Sequence, residues 1–403
     1  MSKLFKRYEK RFSTFLFNNV PNHLEYRPRG VHASAFSYAR ECPEAELRIV
    51  YPPSTCRWTF NEDFAQNIRI RPPQSMRKPA FYVLKAPGGR VLADPAFTNI
   101  GIVDRQSRLI GGVSFQYNKQ TINDVAANAV LHGKYFREPL RIQGSLFSMA
   151  NGAAGANNYF HWMYDALPRL HLLEKSGFTA GSFLVPGFSK RFHKETLLAL
   201  GVDESRVIDF SLVRHAAADE LIVSNSAGDV LEAASYQGFF YPSWAIDFLR
   251  NKFWPIKRGD FPIGQTIYIS RRDVNSRKII NEDEVIDALA KHNVRIYTLE
   301  DMPFAEQVGL FYSAGAVIAP HGASLANLAF CRPGTQVLEI FPRHFVKALY
   351  AYISQLAGLK YNYYIGEGVA SRKKSIYRDF RVDATALAAT LAKAWQEMAN
   401  NWL

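Results

Sequence analysis

The chain has 403 residues, more than one hydrophobic core usually supports, so two domains are expected. With 48% hydrophobic and 14% aromatic residues it is not a disordered chain, and its three widely spaced cysteines, Cys42, Cys56 and Cys331, argue against a disulfide framework or a zinc site and favour a reducing compartment. A formal net charge of +13 favours an anionic partner, whether nucleic acid, a membrane surface or a phosphorylated substrate, and no apolar run reaches the roughly 18 residues that cross a bilayer.

The segment Lys3–Phe17 carries Phe5, Tyr8, Phe12 and Phe15 at three- and four-residue spacing, with Lys3, Lys6, Arg7, Lys10 and Arg11 on the other face. Such a helix fits an anionic membrane interface, and equally an ordinary helix docked on its own domain. The N-terminus has no signal-peptide core, so the expected location is the cytoplasm, with a peripheral hold on the cytoplasmic membrane face if the first reading applies. Between about residues 45 and 150 the chain reads as short strands and turns, among them 81–84, the Pro-Gly-Gly turn at 87–89, and 91–93. From about residue 144 strands and helices alternate, with strand candidates at 144–149, 183–185, 207–210 and 221–223 and a helix near 190–200.

Residues 255–264, rich in Pro, Gly and charge, read as a linker. Beyond them the pattern restarts, with strands 266–270, 294–298, 316–319 and 336–341 alternating with helices 282–291, 304–313, 323–330 and 345–357. Val382–Leu403 reads as an amphipathic helix with Leu387, Leu391 and Trp395 on one face. The expected organisation is an α/β chain of two units, 1–255 and 265–380, with a cleft between them and a C-terminal helix, 381–403, packing back on the first.

Three motifs carry candidate chemistry. In Asn157–Arg169, His161 and Asp165 lie four residues apart, hence on one helical face, where a carboxylate orients an imidazole and favours its protonated form. A helix-end histidine satisfied by its neighbour is the plainer reading. In Tyr268–Glu282, Arg271, Arg272, Arg277 and Lys278 leave the carboxyl end of a strand, where arginines grip phosphate oxygens; the plainer reading is a solvated charge run. Asn281 with Glu284 reads as a capping box. In His321–Phe330, Gly322 lets the backbone approach a ligand, and the amides of Gly322 and Ala323 at a helix start suit a pyrophosphate beside His321. Ser324 and Asn327 face either that pocket or a packing partner, and Glu339 at the end of the next strand is expected to accept hydrogen bonds from ribose hydroxyls.

These segments together resemble the family 61 glycosyltransferases, a group that includes many bacterial capsular polysaccharide biosynthesis proteins. The resemblance runs through Asn158–Arg169, through Tyr268-Ile-Ser-Arg-Arg272 with Arg277 and Asn281-Glu282, and through Pro320–Phe330 followed by Pro333-Gly334 and Val337–Ile340, with Gln307 and Phe311 between. Ser324 departs from it, since glycine is frequent there. The resemblance implies a GT-B-like fold of two facing Rossmann-like domains, here with additional β structure in the N-terminal part. It also implies inverting, metal-independent transfer from a nucleotide sugar, with uridine diphosphate the default carrier, to a glycan or lipid-linked glycan in cell-surface polysaccharide biosynthesis. His161 is then the expected base, oriented by Asp165, with Asp165 the alternative base. Arg271, Arg277, His321 and the amides of Gly322 and Ala323 are expected to receive the diphosphate. The absence of any Asp-X-Asp triplet fits metal independence, and no cofactor is expected beyond the donor. A nucleic-acid-binding protein is disfavoured because no such module is present, and a non-catalytic scaffold in a membrane-associated assembly complex is the alternative.

Overall fold

The alternating apolar runs build two α/β units in the computed structural model of the chain, which describes residues 3–68, 73–116, 124–150, 152, 157–229, 240–272, 274, 276–371, 374 and 377–399. The loop residues Asn151 and 153–155 lie outside the described residues, as do the side chains of Lys3, Phe5, Lys6, Arg7 and Trp395. One unit comprises Met1–Cys56 and Met76–Tyr241, the other Arg57–Ser75 and Pro242–Leu403.

In the first unit, strands Val207–Asp209, Ser182–Val185, Leu140–Ser148 and His215–Ser224 lie side by side and run parallel. Antiparallel strands extend this sheet from its His215–Ser224 side: Phe81–Pro87 and Arg90–Ala93 lie end to end along His215–Ser224 in one register, and Asn99–Val103 and Arg108–Ile110 follow beyond Arg90–Ala93. The two are joined through Gly88 and Gly89, which stay bonded to the same partner strand: Gly88 has φ +62°, and a Cβ on Gly89 would sit 2.8 Å from that of Leu221. Leu84, Val91, Leu146, Leu184, Leu221 and Val223 meet in one core. Every second residue of these strands points to the same face, so the sequence pattern alone commits them to it.

The second unit is a parallel sheet in the order Val294–Tyr297, Gln265–Ile269, Ala314–Pro320, Gln336–Pro342 and Lys360–Gly368, closed by the antiparallel Phe380–Arg381. Both Ala314–Pro320 and Gln336–Pro342 are almost wholly buried, which explains why apolar residues fill them apart from Gln336 and Glu339. Strand Gln265–Ile269 precedes Val294–Tyr297 on one side and borders Ala314–Pro320 on the other, so the winding direction reverses between them. In open α/β sheets ligands bind beyond the carboxyl ends of strands at such a reversal.

Several local expectations change. Residues 323–330 form a 3₁₀ helix rather than an α-helix. Segment 255–264 packs within the second unit: Arg258 N–H donates to Ala305 O at 2.9 Å, and bare Gly309 admits the Arg258 carbonyl, which a Cβ would meet at 1.9 Å. Helix Ser243–Phe253 and strand Lys360–Gly368 were not anticipated: the helix buries Ala245, Ile246, Phe248, Leu249 and Phe253 on one face, whereas the strand shows no alternation. The excursion Arg57–Ser75 contributes helix Glu62–Asn67, whose Phe64 packs on Phe341 and Tyr363.

Candidate active site

In the first unit the His161 helix opens at Asn158, whose side chain accepts the Phe160 N–H at 3.0 Å. Pro168 brings no N–H, and its ring crowds the carbonyl four residues earlier, so Trp162–Ala166 widens into a π turn in which Leu167 N–H reaches Trp162 O at 3.0 Å. On this turn His161 Nδ1 meets Asp165 Oδ2 at 2.6 Å, while the Tyr241 hydroxyl donates to Asp165 Oδ1 at 2.7 Å. Asp165 is buried with both oxygens engaged, whereas the His161 side chain remains 33% exposed. An imidazole donating through Nδ1 leaves Nε2 as its basic nitrogen.

Two cations brace this turn. Arg169 donates through Nε to Asp165 O at 3.2 Å and through Nη1 to Ser224 O at 2.6 Å, tying the helix to a strand end. Lys78 is fully buried, its Nζ donating to Phe240 O at 2.6 Å; burial pushes its pKa down to about 8 against the pull of Cys56, Asp229 and Asp165. Tyr241 and Lys78 escaped sequence reasoning because they stand far from His161 in the chain and no local motif marks them.

In the second unit, Arg271 leaves strand Gln265–Ile269, and His321 and Gly322 leave strand Ala314–Pro320, at the reversal point of the sheet. Gly322 is extended, with φ −178°, so its value is space: a Cβ there would lie 1.7 Å from Arg271 Nη1. Arg271 is 9% exposed, donates through Nη2 to Ser276 O at 3.3 Å, and has no protein partner for its Nε. Burial, then the neighbouring charge of Arg277, pushes its pKa down to about 10. Arg277 holds a left-handed backbone, φ +54°, with its guanidinium 5.3 Å from the Phe345 ring centre. For a residue other than glycine that conformation costs on the order of 1 kcal/mol, which the surrounding structure must supply.

His321 Nδ1 meets Glu339 Oε1 at 2.5 Å, and its ring stacks on Phe341 at 5.2 Å. Burial, followed by the charges of Arg277, Arg271 and Lys347, holds its pKa well below the usual imidazole range. Glu339 is fully buried, and its second oxygen accepts the Tyr361 hydroxyl at 2.6 Å; burial raises its pKa despite that bond and Arg277. His321 is therefore a neutral group beside three cations, and the positive charge there belongs to Arg271, Arg277 and Lys347. Ser324 Oγ is also buried without a protein partner.

The structure thus gathers Arg271, Arg277, His321 and Gly322 at one strand end, with Ser324 two residues beyond Gly322. Ala323 stands there too, at the start of the 3₁₀ turn that Leu325 N–H closes on Gly322 O at 3.1 Å, so the amides of Gly322 and Ala323 precede the helical ladder. Glu339 is not free there to accept ribose hydroxyls, since His321 and Tyr361 take both its oxygens. Asn327 is buried and donates to Gln307 Oε1 at 3.0 Å, while Gln307 donates to Leu299 O and Met302 O; it packs the fold rather than facing that strand end. Arg272 turns outward to Asp283. Asn281 makes no cap bond: its amide holds Glu284 at 2.8 Å and both backbone groups of Val382. Buried Glu282, unassigned by the sequence, accepts the Tyr268 hydroxyl at 2.8 Å and the Arg271 N–H at 3.2 Å, and so anchors the root of the arginine loop. Among the described residues no three His, Cys, Asp or Glu side chains gather as a metal-binding group.

Both constellations fall in or beside a single stretch of chain with known relatives. Residues 159–338 match the family model Glycosyltransferase 61. The matched segment begins in the helix bearing His161 and ends one residue before Glu339. Protein O-linked-mannose β-1,4-N-acetylglucosaminyltransferase 2 from Homo sapiens is 33% identical over 84 residues, 20% of this chain and 14% of that protein. The same enzyme from Canis lupus familiaris is 31% identical over 90 residues, 22% of this chain and 16% of its own. The Xenopus laevis enzyme is 30% identical over 121 residues, 28% and 20% respectively. The chain therefore matches a fifth or less of the length of these relatives.

Proposed function

We propose that this protein is a glycosyltransferase that moves a sugar from a nucleotide-sugar donor to a hydroxyl of a glycan or lipid-linked glycan. The observation that carries this reading is the cluster at the sheet reversal, where the charges of Arg271, Arg277 and Lys347 all bear on His321, and Arg271 Nε and Ser324 Oγ lack protein partners. Buried cations and open donors at a strand end suit a diphosphate. The glycosyltransferase 61 match supports the same reaction class.

His161 is the base in this reading and Asp165 its orienting partner, because Asp165 has both oxygens engaged while His161 keeps Nε2 and an exposed edge. His161 Nε2 takes the proton of the acceptor hydroxyl, the acceptor oxygen bonds to the anomeric carbon, and the bond from that carbon to the phosphate oxygen breaks. The leaving diphosphate carries away the electron pair and is stabilised by Arg271, Arg277 and Lys347, with Gly322 and Ala323 amides adding neutral donors. A single displacement inverts the anomeric centre. Three cations supply charge that a divalent metal supplies elsewhere, so the reaction is expected to proceed without one.

The two units then divide the work as in a GT-B-like enzyme, the first serving the acceptor and the second the donor. The relatives' name makes UDP-N-acetylglucosamine the first donor to test; a capsular or other cell-surface polysaccharide, assembled on the cytoplasmic side, is the acceptor context carried by the family likeness. Calorimetric and thermal-shift titration with nucleoside diphosphates and their sugars, with and without EDTA, is the direct test, because a ligand of the folded state raises its stability by mass action. Selective binding by one nucleotide that survives EDTA is expected. No binding at millimolar nucleotide would overturn the donor site, and binding lost with EDTA would overturn metal independence.

A further inference from the structure

The N-terminal helix Lys3–Asn19 is held by one end and bare along one stripe. Phe17 is buried against Phe136 at 6.0 Å, and its carbonyl accepts the Lys134 N–H at 2.6 Å, which fixes the C-terminal turn on the first unit. Tyr8, Phe12 and Phe15 are 62%, 64% and 56% exposed. At 100° per residue these three fall within an arc of about 60°. Exposed Arg11 lies about 40° from one edge of the arc, while exposed Lys10 stands on the opposite face. Among the described residues, no ring or cation pairs with this exposed aromatic stripe, which Arg11 edges. Among the described residues no helix is long and apolar enough to cross a membrane.

Beside the same helix lies a cavity of about 210 Å³ whose wall includes Phe12 and Leu16 from the helix and Arg137, Arg214 and His215 from the body of the unit. The two arginines repel: Arg214 has its pKa lowered by burial first and by the charge of Arg137 second, with Glu9 and Asp94 pulling the other way. Arg214 also holds a left-handed backbone, φ +62°, and its guanidinium rests 5.4 Å from the Phe97 ring centre. Two like charges around a hollow next to exposed rings form a place for one phosphate with its apolar neighbours on the adjacent surface.

We infer that helix Lys3–Asn19 docks this protein on an anionic lipid bilayer, with Tyr8, Phe12 and Phe15 entering the interface and a phospholipid headgroup seated between Arg137 and Arg214. The charge balance selects this occupant. A second copy of the chain would bring the same excess of cations to the patch, whereas an anionic lipid surface neutralises them. Aromatic rings with adjoining cations are the composition that interfacial helices use. The inference stands independently of the transferase reading, because it uses none of the same residues.

The test is sedimentation of the full chain with vesicles of phosphatidylcholine alone and of phosphatidylcholine mixed with phosphatidylglycerol, at low and high salt. Binding is expected only to the mixed vesicles and should weaken with salt. Arg137→Gln and Arg214→Gln should each cut partitioning roughly fivefold, and Phe12→Ser with Phe15→Ser should abolish it. Because serine substitutions also disturb the helix, Phe15→Trp provides a second readout: its added fluorescence should shift to the blue on mixed vesicles and be quenched by brominated lipid. Equal binding to neutral vesicles, no effect of the arginine substitutions, or an indole that stays in water would overturn the inference. So would sedimentation equilibrium showing a dimer without lipid that Phe12→Ser dissociates.

Discussion

Substituting Gly322→Ala should disable the proposed donor site without unfolding the protein. The added methyl would meet Arg271 Nη1 at 1.7 Å, and since ordinary contact begins near 3.4 Å the guanidinium must retreat by the difference, 3.4 − 1.7 = 1.7 Å. The atoms met belong to the end of a flexible side chain, so the fold can yield; what is lost inside it is one bond to Ser276 O, about 1 kcal/mol. A charge-assisted bond to phosphate does not survive a shift of that size, which costs about 1.5 to 3 kcal/mol of nucleotide affinity, or roughly 10- to 150-fold in Kd. Calorimetry with the nucleoside diphosphate measures the loss, and a thermal melt measures the stability. A cycle with Arg271→Ala sharpens the test: if both changes act through one guanidinium, the double variant should bind no worse than Arg271→Ala alone. Additive losses, or unchanged affinity in Gly322→Ala, would refute the placement of Arg271 on the donor.

Removing the Tyr241 hydroxyl with Tyr241→Phe leaves Asp165 Oδ1 buried without its donor, so stability should fall by about 1 to 3 kcal/mol and kcat should drop while KM for the donor holds. A pH–rate profile unchanged from the native one would show that Tyr241 is merely structural. A different prediction concerns acid. His193 and His215 are buried and each has its pKa lowered to about 4, by burial first in both cases. His215 donates through Nδ1 to Arg137 O at 2.6 Å and faces Arg90 with Nε2 at 3.3 Å, so a second proton is unwelcome there. The unfolded chain binds these protons near pH 6.5 and the folded chain does not, so their effect is absent above that pH and grows as the pH falls from 6.5 toward 4. Each should cost about 2 kcal/mol between pH 7 and 5, read from denaturant unfolding at the two pH values. In His193→Gln the pH slope should shrink by that share; an unaltered slope would place the acid sensitivity elsewhere.

Much of the second unit was legible because its strands are buried on both faces and read as largely apolar runs, with turn signals between them. Arg271, Arg277, His321 and Gly322 were legible as candidate site residues for the same reason: they sit where such runs end, and strand ends are where α/β sheets bind ligands. Asn327 and Glu339 lie at equally suggestive positions, yet one packs against Gln307 and the other serves as the buried partner of His321. Sequence spacing gives which element a side chain leaves from, not which neighbour it meets. The 3₁₀ form of residues 323–330 was hidden similarly, since an apolar helical run fits either winding.

What the sequence by itself determined, then, is the order of elements, the pairing of His161 with Asp165, and the placing of cations at a strand end, because periodicity and spacing act within a few residues. Only the tertiary structure decided that Tyr241 closes on Asp165, that Tyr361 closes on Glu339, that Arg271 lies on the bare backbone of Gly322, and that His321 is neutral. Each of those depends on burial and on contacts between residues distant in the chain, and desolvation is a property of the packed molecule that no local pattern encodes.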